Sequence, residues 1–366
     1  MLVPLFILVI IAFCFGVYWI AGKYIRFFGI DIKMVKWRII RGAIAVLLTA
    51  LSFVFRVFML LILHLVALWG LCELIRVIAK PLCRRLKKGK SYNITKRIYQ
   101  SGIVPILIIA VLFVWGYINM NNVQKTVYTV TSDKLRNDYR VVFISDTHYD
   151  TIQDNDLLKE KAAEISKLKP DIVILGGDLV EEGTSKEKME ELFCVLGDID
   201  TEYGVYYIYG NHDRQRYSSS PSYTEQQLED AISKNRITIL KEDYVEIGDD
   251  LLLIGREDLS AKKERLSPRE LLKGADKDRF VLVADHQPND VESNQSLGAQ
   301  LQLSGHTHGG QIMPLGFMPF LYNGYVYGEY TAEDTTVIVS SGFAGWGFSI
   351  RTQNVSEYVV VDLIAK

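Results

Sequence analysis

Cysteine is scarce in this chain of 366 residues, which contains only four. Cys14, Cys72 and Cys83 lie in the apolar N-terminal third, and Cys194 lies in the remainder. None of them is spaced from another as the paired ligands of a structural metal site are. The water-soluble part therefore cannot contain a disulfide framework, and the cysteines do not identify the cellular compartment.

A basic surface for nucleic acid is also missing. The formal net charge is −2, and the lysines and arginines of the N-terminal third are concentrated in residues 23–41 and 80–97, beside long apolar runs. Basic clusters in this position are typical of the cytoplasmic flanks of membrane helices. We therefore expect contact with a lipid bilayer and no binding of nucleic acid.

Charge is nearly absent from four apolar runs, which we assign to a transmembrane helical region, residues 1–118. The predicted spans are residues 2–22, 42–56, 57–78 and 102–118. A helical hairpin that turns near Arg56 keeps both basic clusters in the cytoplasm, whereas a three-span arrangement separates them. Four spans predict a multi-pass protein of the plasma membrane with an extracytoplasmic C-terminal domain.

Residues 119–126 are predicted to form a polar linker, and residues 127–366 a soluble α/β domain. Buried strand patterns alternate with amphipathic helix patterns in its first half, which predicts a mostly parallel sheet covered by helices. The predicted strands are 127–131, 139–145, 171–175, 205–209, 237–240, 244–247, 251–255, 280–284, 300–303, 335–340 and 357–363. The predicted helices are 156–169, 187–196 and 225–234.

Five of these strands are followed directly by side chains that can bind metals. They are Asp146 and His148, then Asp178, then Asn211 with His212 and Asp213, then His286, and finally His306 and His308. Ligands of open α/β sheets bind beyond the carboxyl ends of the strands, so we expect these side chains to converge. Mixed nitrogen and oxygen ligands suit Mn, Fe or Zn better than Mg or Ca.

The ordered motifs Asp-x-His, Gly-Asp, Gly-Asn-His-Asp, His-x-Pro and Gly-His-x-His resemble those of the calcineurin-like metallophosphoesterase superfamily. Residues 304–312 are most similar to a membrane-associated bacterial branch that includes proteins similar to UDP-2,3-diacylglucosamine hydrolases. The resemblance implies a four-layer α/β/β/α sandwich and a hydrolase of phosphodiesters or pyrophosphates. It also implies two divalent metal ions as cofactors.

The resemblance assigns a ligand set to each ion, with Asp178 as the bridge between them. One set is Asp146, His148, Asp178 and His308, and the other is Asp178, Asn211, His286 and His306. His212 would act as a general acid or stabilise the transition state, and Asp213 would orient His212, cap a helix or face solvent. Arg351 would contact phosphate or hold the C-terminal strand.

Two features bear on the substrate class: the absence of an arginine and the presence of an apolar segment. Residues 179–183 lack the arginine that protein Ser/Thr phosphatases carry soon after Gly-Asp, which disfavours that class. Residues 313–321 carry no charge, and Phe343, Trp346 and Phe348 recur in a second glycine-rich loop. These segments either pack on the sheet, with Phe317 and Phe320 in the core, or form a rim that meets acyl chains or the bilayer.

We therefore expect a membrane-anchored phosphoesterase that acts on a lipid-linked or envelope-linked substrate. One alternative is a pyrophosphatase that acts on a UDP-linked lipid at the cytoplasmic face, which requires the opposite topology. Another is a membrane scaffold that binds metal without catalysis.

Overall fold

The computed structural model describes residues 2–83, 90–261, 265–276, 278–321 and 324–366. The chain divides into two compact units, residues 1–114 and residues 115–366. The first unit is helical and the second contains every β-strand of the described part. The boundary between the units falls inside a helix.

The first unit consists of long apolar helices and one short polar helix. They are α1 (Leu2–Phe27), α2 (Val35–Val54), α3 (Arg56–Cys83), α4 (Lys90–Ser101) and α5 (Ile103–Asn121), of which α5 continues into the second unit. Four stretches are long and apolar enough to cross a membrane: Ile10–Phe27, Val35–Val54, Arg56–Ala79 and Ile103–Asn121. Each overlaps one of the four spans predicted from the sequence.

The tract 42–78 forms two helices rather than one. Only Phe55 separates α2 from α3, and its backbone is extended. Gly16 of α1 lies against Val66 of α3, and Trp19 of α1 packs edge-on against Trp69 of α3. The residue numbers rise together along both helices, so α1 and α3 run parallel and α2 returns in the opposite direction. The C-terminal ends of α1 and α3, where the two basic clusters begin, therefore lie at the same end of the helical unit.

The second unit contains two six-stranded sheets. Its strands are β1 (Val123–Ser132), β2 (Tyr139–Ile144), β3 (Ile172–Leu175), β4 (Val205–Tyr207), β5 (Ile237–Ile239), β6 (Asp243–Ile247), β7 (Leu251–Gly255), β8 (Phe280–Ala284), β9 (Leu301–Ser304), β10 (Gly328–Ala332), β11 (Thr335–Val339) and β12 (Ser356–Ala365). The strand orders are β1-β12-β2-β3-β4-β5 and β10-β11-β9-β8-β7-β6. Strands β2 to β5 are mutually parallel, as are β7, β8, β9 and β11.

Alternation of buried side chains along the strands produces the predicted four-layer α/β/β/α sandwich. Val142 and Ile144 of β2 face the helices α6 (Asn155–Lys167), α7 (Lys186–Gly197) and α8 (Glu225–Lys234), whereas Val141 and Phe143 face the second sheet. The outer face of the second sheet packs against residues in and beside two short helices, α9 (Pro268–Leu271) and α10 (Val291–Ser296). The fold class predicted from the sequence is confirmed.

The segment predicted as a polar linker has regular structure instead. Helix α5 continues to Asn121, and β1 begins two residues later at Val123. Gln124 and the rest of β1 pair in parallel with β12, which makes β1 an edge strand five residues longer than predicted. The buried positions Asn119 and Met120 show the physical reason: the end of α5 is packed into the second unit.

Candidate metal centre

The predicted ligands follow the carboxyl ends of strands in both sheets. Strands β2, β3 and β4 are parallel neighbours in the first sheet, and β8 and β9 are parallel neighbours in the second. The two sheets pack face to face through a shared apolar core, which brings the ends of all five strands together. The side chains that follow these strands are thus gathered at one edge of the sandwich, as expected for ligands that bind beyond the carboxyl ends of strands.

Six predicted ligands form two groups, within each of which the candidate ligand atoms lie within 4.8 Å of one another. One group is Asp146, His148 and His308, and the other is Asp178, His286 and His306. The groups adjoin, because the backbone N–H of His306 donates to the Asp146 carboxylate at 3.0 Å. Each group falls within one of the two ligand sets implied by the resemblance, and the full sets, with Asn211 and a bridging Asp178, stay predictions.

The backbone at these positions is unusual. Five of the seven predicted ligand residues have positive φ angles between 39° and 70°: Asp146, His148, Asp178, His306 and His308. Left-handed backbone is uncommon outside glycine, and its accumulation in one place is characteristic of functional sites. The surrounding loops therefore hold the side chains in directions that an ordinary strand end would not produce.

Close approach of the motif loops depends on glycine. A Cβ atom on Gly177 (φ +84°) would collide with the backbone of Gly210, and one on Gly210 would collide with the Asp178 carboxylate. Only hydrogen occupies both positions, so the loops after β3 and β4 can lie in direct contact.

Several ligand atoms lack the hydrogen bonds that buried polar atoms normally make. Nε2 of His148, Nε2 of His286 and Oδ1 of Asn211 are buried and have no hydrogen-bond partner among the described residues. His286 Nε2 lies 3.1 Å from Asp178 Oδ2 without the alignment of a hydrogen bond. Unpaired buried polar atoms are costly, and metal ions would satisfy them. The residues present thus fit a site for divalent cations.

Two of the imidazoles are oriented by carbonyl groups. His286 Nδ1 lies 2.8 Å from the Gly176 carbonyl, and His308 Nδ1 lies 3.2 Å from that of Ala344. A proton on each Nδ1 donates to the carbonyl and leaves the lone pair of Nε2 for a metal. This support of the ring is the usual arrangement around histidine ligands.

The electrostatics of His306, His308 and Asp178 favours cation binding. Burial lowers the pKa of His308 to about 3, and burial together with the neighbouring His286 lowers the pKa of His306. Both rings are then neutral and able to coordinate. Burial opposes ionisation of Asp178, but His286, His148 and His212 outweigh it and hold the pKa of this carboxyl well below its usual value. Asp178 is therefore an anion at neutral pH.

His212 lies beside the centre and belongs to neither ligand group. Its Nδ1 lies 2.7 Å from Glu182 Oε2, and its ring lies between two exposed aromatic rings, with centroids 5.2 Å from that of Tyr217 and 5.6 Å from that of Trp346. Burial lowers the pKa of His212, but the carboxylates of Glu182 and Asp178 outweigh it and raise this pKa above its usual value. The ring therefore holds a proton more firmly than a free histidine does.

The sequence around this centre is similar to a known protein family and to several known proteins. Residues 139–310 match the family described as Calcineurin-like phosphoesterase. An uncharacterized metallophosphoesterase of Campylobacter jejuni is 27% identical over 289 residues, which cover 76% of this chain and 74% of that protein. One of Helicobacter pylori strain 26695 is 30% identical over 239 residues, which cover 64% of this chain and 62% of that protein. The part of the chain that forms this centre is thus similar to calcineurin-like phosphoesterases.

Some proteins that are similar to this chain are described as transmembrane proteins. A transmembrane protein with metallophosphoesterase domain from Danio rerio is 27% identical over 281 residues, which cover 72% of this chain and 63% of that protein. This chain thus spans less than two thirds of the Danio rerio and Helicobacter pylori relatives. The superfamily predicted from the motifs is supported, whereas the branch similar to UDP-2,3-diacylglucosamine hydrolases stays a prediction.

Two predicted site residues, Asp213 and Arg351, occupy supporting positions. The Asp213 carboxylate is buried and accepts backbone N–H groups from Gly210 at 2.6 Å, from Asp178 at 2.9 Å and from Leu179 at 2.8 Å. It ties the loops after β3 and β4 together, and Glu182, not Asp213, contacts the His212 ring. The catalytic role of His212 and the positioning role of Asp213 stay predictions.

Arg351 is fully buried, so the geometry favours its structural role over contact with substrate. Its guanidinium donates to the carbonyls of His308 at 2.8 Å and Ala344 at 2.7 Å. Burial lowers the pKa of Arg351 to about 10, which leaves it charged at neutral pH. The arginine thus connects the loop of one predicted ligand to the loop that carries Trp346.

Sequence reasoning missed the polar residues after β7. Asp258 is buried, accepts a hydrogen bond from Gln287 at 2.6 Å and contributes to the electrostatic environment of His286. Arg265 grips Asp285, the residue before His286, through two contacts of 2.7 Å. The signal was present, because Arg256-Glu257-Asp258 follows a buried strand just as the metal ligands do.

Proposed function

We propose that this protein is a membrane-anchored hydrolase of phosphodiesters or pyrophosphates that uses two divalent metal ions. The observation that carries the proposal is the pair of adjoining groups of carboxylate and imidazole ligands, in which the buried Nε2 atoms of His148 and His286 lack hydrogen-bond partners among the described residues. Mixed nitrogen and oxygen donors favour Mn, Fe or Zn.

Each residue of the centre has a distinct proposed role. Asp146, His148 and His308 would hold one ion, Asn211, His286 and His306 would hold the other, and Asp178 would serve both. Divalent ions supply Lewis acidity toward phosphoryl oxygens and lower the pKa of water. The loops of the domain fix these side chains beforehand, so little reorganisation is required when the substrate binds.

His212 is proposed as the general acid. Glu182 engages Nδ1, which leaves Nε2 free to donate a proton to the leaving oxygen. The neighbouring carboxylates raise the pKa of His212 and so favour the imidazolium that donates this proton. Glu182 acts through the ring and is a positioning residue.

The proposed substrate is attached to a lipid or to an envelope component. Two features support this: four helices are long and apolar enough to cross a membrane, and residues 179–183 lack the arginine expected of a protein phosphatase. We propose that the domain is extracytoplasmic, because the two basic clusters begin at the same end of the helical unit and basic loops favour the cytoplasm. A pyrophosphatase of UDP-linked lipids at the cytoplasmic face is the alternative with the opposite orientation.

The test is hydrolysis of bis(4-nitrophenyl) phosphate by the full chain in detergent micelles. We expect turnover with added Mn²⁺ and none after chelation, with recovery when Mn²⁺ is restored. A protein that binds two equivalents of Mn²⁺ and hydrolyses neither this diester nor a pyrophosphate would instead be a metal-binding scaffold.

A further inference from the structure

The uncharged segment 313–321 is exposed rather than packed on the sheet. Phe317 is 71% exposed, and the side chains of Met313, Leu315 and Leu321 are also exposed, as is that of Trp346 in the neighbouring loop. The side chain of Phe320 lies outside the described residues. We call residues 313–321 together with Trp346 the apolar rim. So many large apolar side chains on one surface indicate a contact with a partner.

The base of the apolar rim is ordered by hydrogen bonds. The N–H of Met313 donates to Thr352 Oγ1 at 2.9 Å, and that of Gly316 donates to Gln353 Oε1 at 3.0 Å. The N–H of Trp346 donates to Gln311 Oε1 at 2.9 Å. The rim is therefore fixed in place while its apolar side chains face outward.

The segment 351–353, which binds the base of the rim, also binds the end of helix α5. Arg351 N donates to the Gly116 carbonyl at 2.9 Å, and Asn119 Nδ2 donates to the Arg351 carbonyl at 3.1 Å. Gly116 lies so close to the methyl group of Thr352 that a side chain on this glycine would collide with it. Thr352 thus contacts the first residue of the rim on one side and α5 on the other.

The length of α5 positions this junction relative to a membrane. The helix has 19 residues, which extend about 28 Å at 1.5 Å per residue. The hydrocarbon core of a bilayer is about 30 Å thick, so the last turns of α5 cannot stand clear of it. Trp115 and Tyr117 are exposed on these turns, and such aromatic residues are enriched at the lipid–water interface.

We propose that the apolar rim rests in the interfacial layer of the bilayer that α5 crosses, and that the His212 side of the metal centre opens toward lipid. The rim is bonded to the turns of α5 that lie at the membrane surface, and Trp346 reaches from the rim to the His212 ring. The leaving group that receives the proton of His212 would then be the lipid-bearing part of the substrate. This last step rests on the proposed function, whereas the membrane contact does not.

The membrane contact is tested by fluorescence, without any measurement of activity. Phe317→Trp and Leu315→Trp are compared with Tyr203→Trp in the full chain, reconstituted in phosphatidylcholine vesicles with brominated acyl chains. Tyr203 is a partly exposed aromatic residue that precedes β4, at the opposite end of this strand from the metal ligands. The emission added at positions 317 and 315 should be quenched by the brominated lipid, and that added at 203 should not. Equal quenching at all three positions, or none at 317 and 315, overturns the proposal.

The substrate is tested by a ratio of two rates. Phe317→Ser should lower the release of diacylglycerol from a diacylglycerol methyl phosphodiester in vesicles, relative to hydrolysis of soluble bis(4-nitrophenyl) phosphate, by about tenfold, which corresponds to the transfer of one aromatic side chain from water to lipid. Tyr203→Ser should leave the ratio unchanged. An unchanged ratio in Phe317→Ser would overturn the lipid-side leaving group. Absence of hydrolysis of both esters by the parent protein would overturn the proposed function, while the quenching experiment would still decide the membrane contact.

Discussion

Replacement of Arg351 by lysine tests how the metal centre is held together. The guanidinium reaches two carbonyls at once, on His308 and Ala344, in a fully buried site. An ammonium group carries its donors on one nitrogen and has no planar fork, so we expect it to reach only one of the two carbonyls. The substitution therefore removes one charge-assisted hydrogen bond to a buried carbonyl.

The expected loss of stability follows from that single hydrogen bond. A hydrogen bond to a charged group contributes about 1.5–3 kcal/mol to stability. For a domain of this size each kcal/mol corresponds to roughly 2–4 °C in melting temperature. Arg351→Lys should therefore melt about 3–12 °C below the parent, and the affinity for metal should fall because the His308 loop is no longer fixed.

Thermal unfolding of the full chain in detergent, with and without Mn²⁺, measures both effects. Arg236→Lys is the matched control, because Arg236 is highly exposed and its contact with Asp198 is 3.9 Å long. The control should melt with the parent. If Arg351→Lys melts like the control and raises only KM, the arginine contacts substrate and the structural role is refuted.

The remaining predictions concern catalysis and orientation. Asp178→Asn should lose most bound metal and nearly all activity, and metal analysis that finds two ions per chain would contradict its place between the ions. His212→Ala should retain both ions but lose roughly 10²–10⁴ in rate; loss of metal would make His212 a ligand. Glu182→Gln should lower the pKa of His212, so the fall of kcat with rising pH should begin at lower pH, and an unshifted profile would remove Glu182 from the mechanism. Cysteines introduced at Lys33 and Lys186 should differ in intact cells, where an impermeant thiol reagent should label only the second; the reverse pattern would place the domain in the cytoplasm.

The strands and the ligand positions could be predicted because both depend on local pattern. Leu251–Gly255 and Phe280–Ala284 were located to the residue, since buried strands are continuous apolar runs with polar boundaries. Strand β10 was missed because Gly328–Ala332 lies at a sheet edge, where only alternate side chains are partly buried. An edge strand receives part of its stability from a partner distant in sequence, which no local pattern reports.

The supporting contacts of the site could not be predicted, because they join residues far apart in the chain. Glu182 reaches His212 across 30 residues, and Arg351 reaches His308 across 43. The left-handed backbone of Asp146 and His308 likewise depends on the loops packed around them. Residue type indicated which side chains bind metal, whereas the packing of several loops decides how they are oriented.

No flexible tether separates α5 from β1, so the end of this apolar helix is part of the packed structure of the second unit. Asn119 supplies hydrogen bonds to the carbonyls of Arg351 and Asn354, and Met120 fills space beside Gly345. A protease that cut after Asn121 would release a domain from which these supports had been removed. Shedding from the membrane would thus uncover the back of the His308 loop, and a soluble form would differ from the anchored one in the packing behind its metal centre. A membrane anchor at α5 and the packing behind the candidate metal centre would thus depend on the same helical turn.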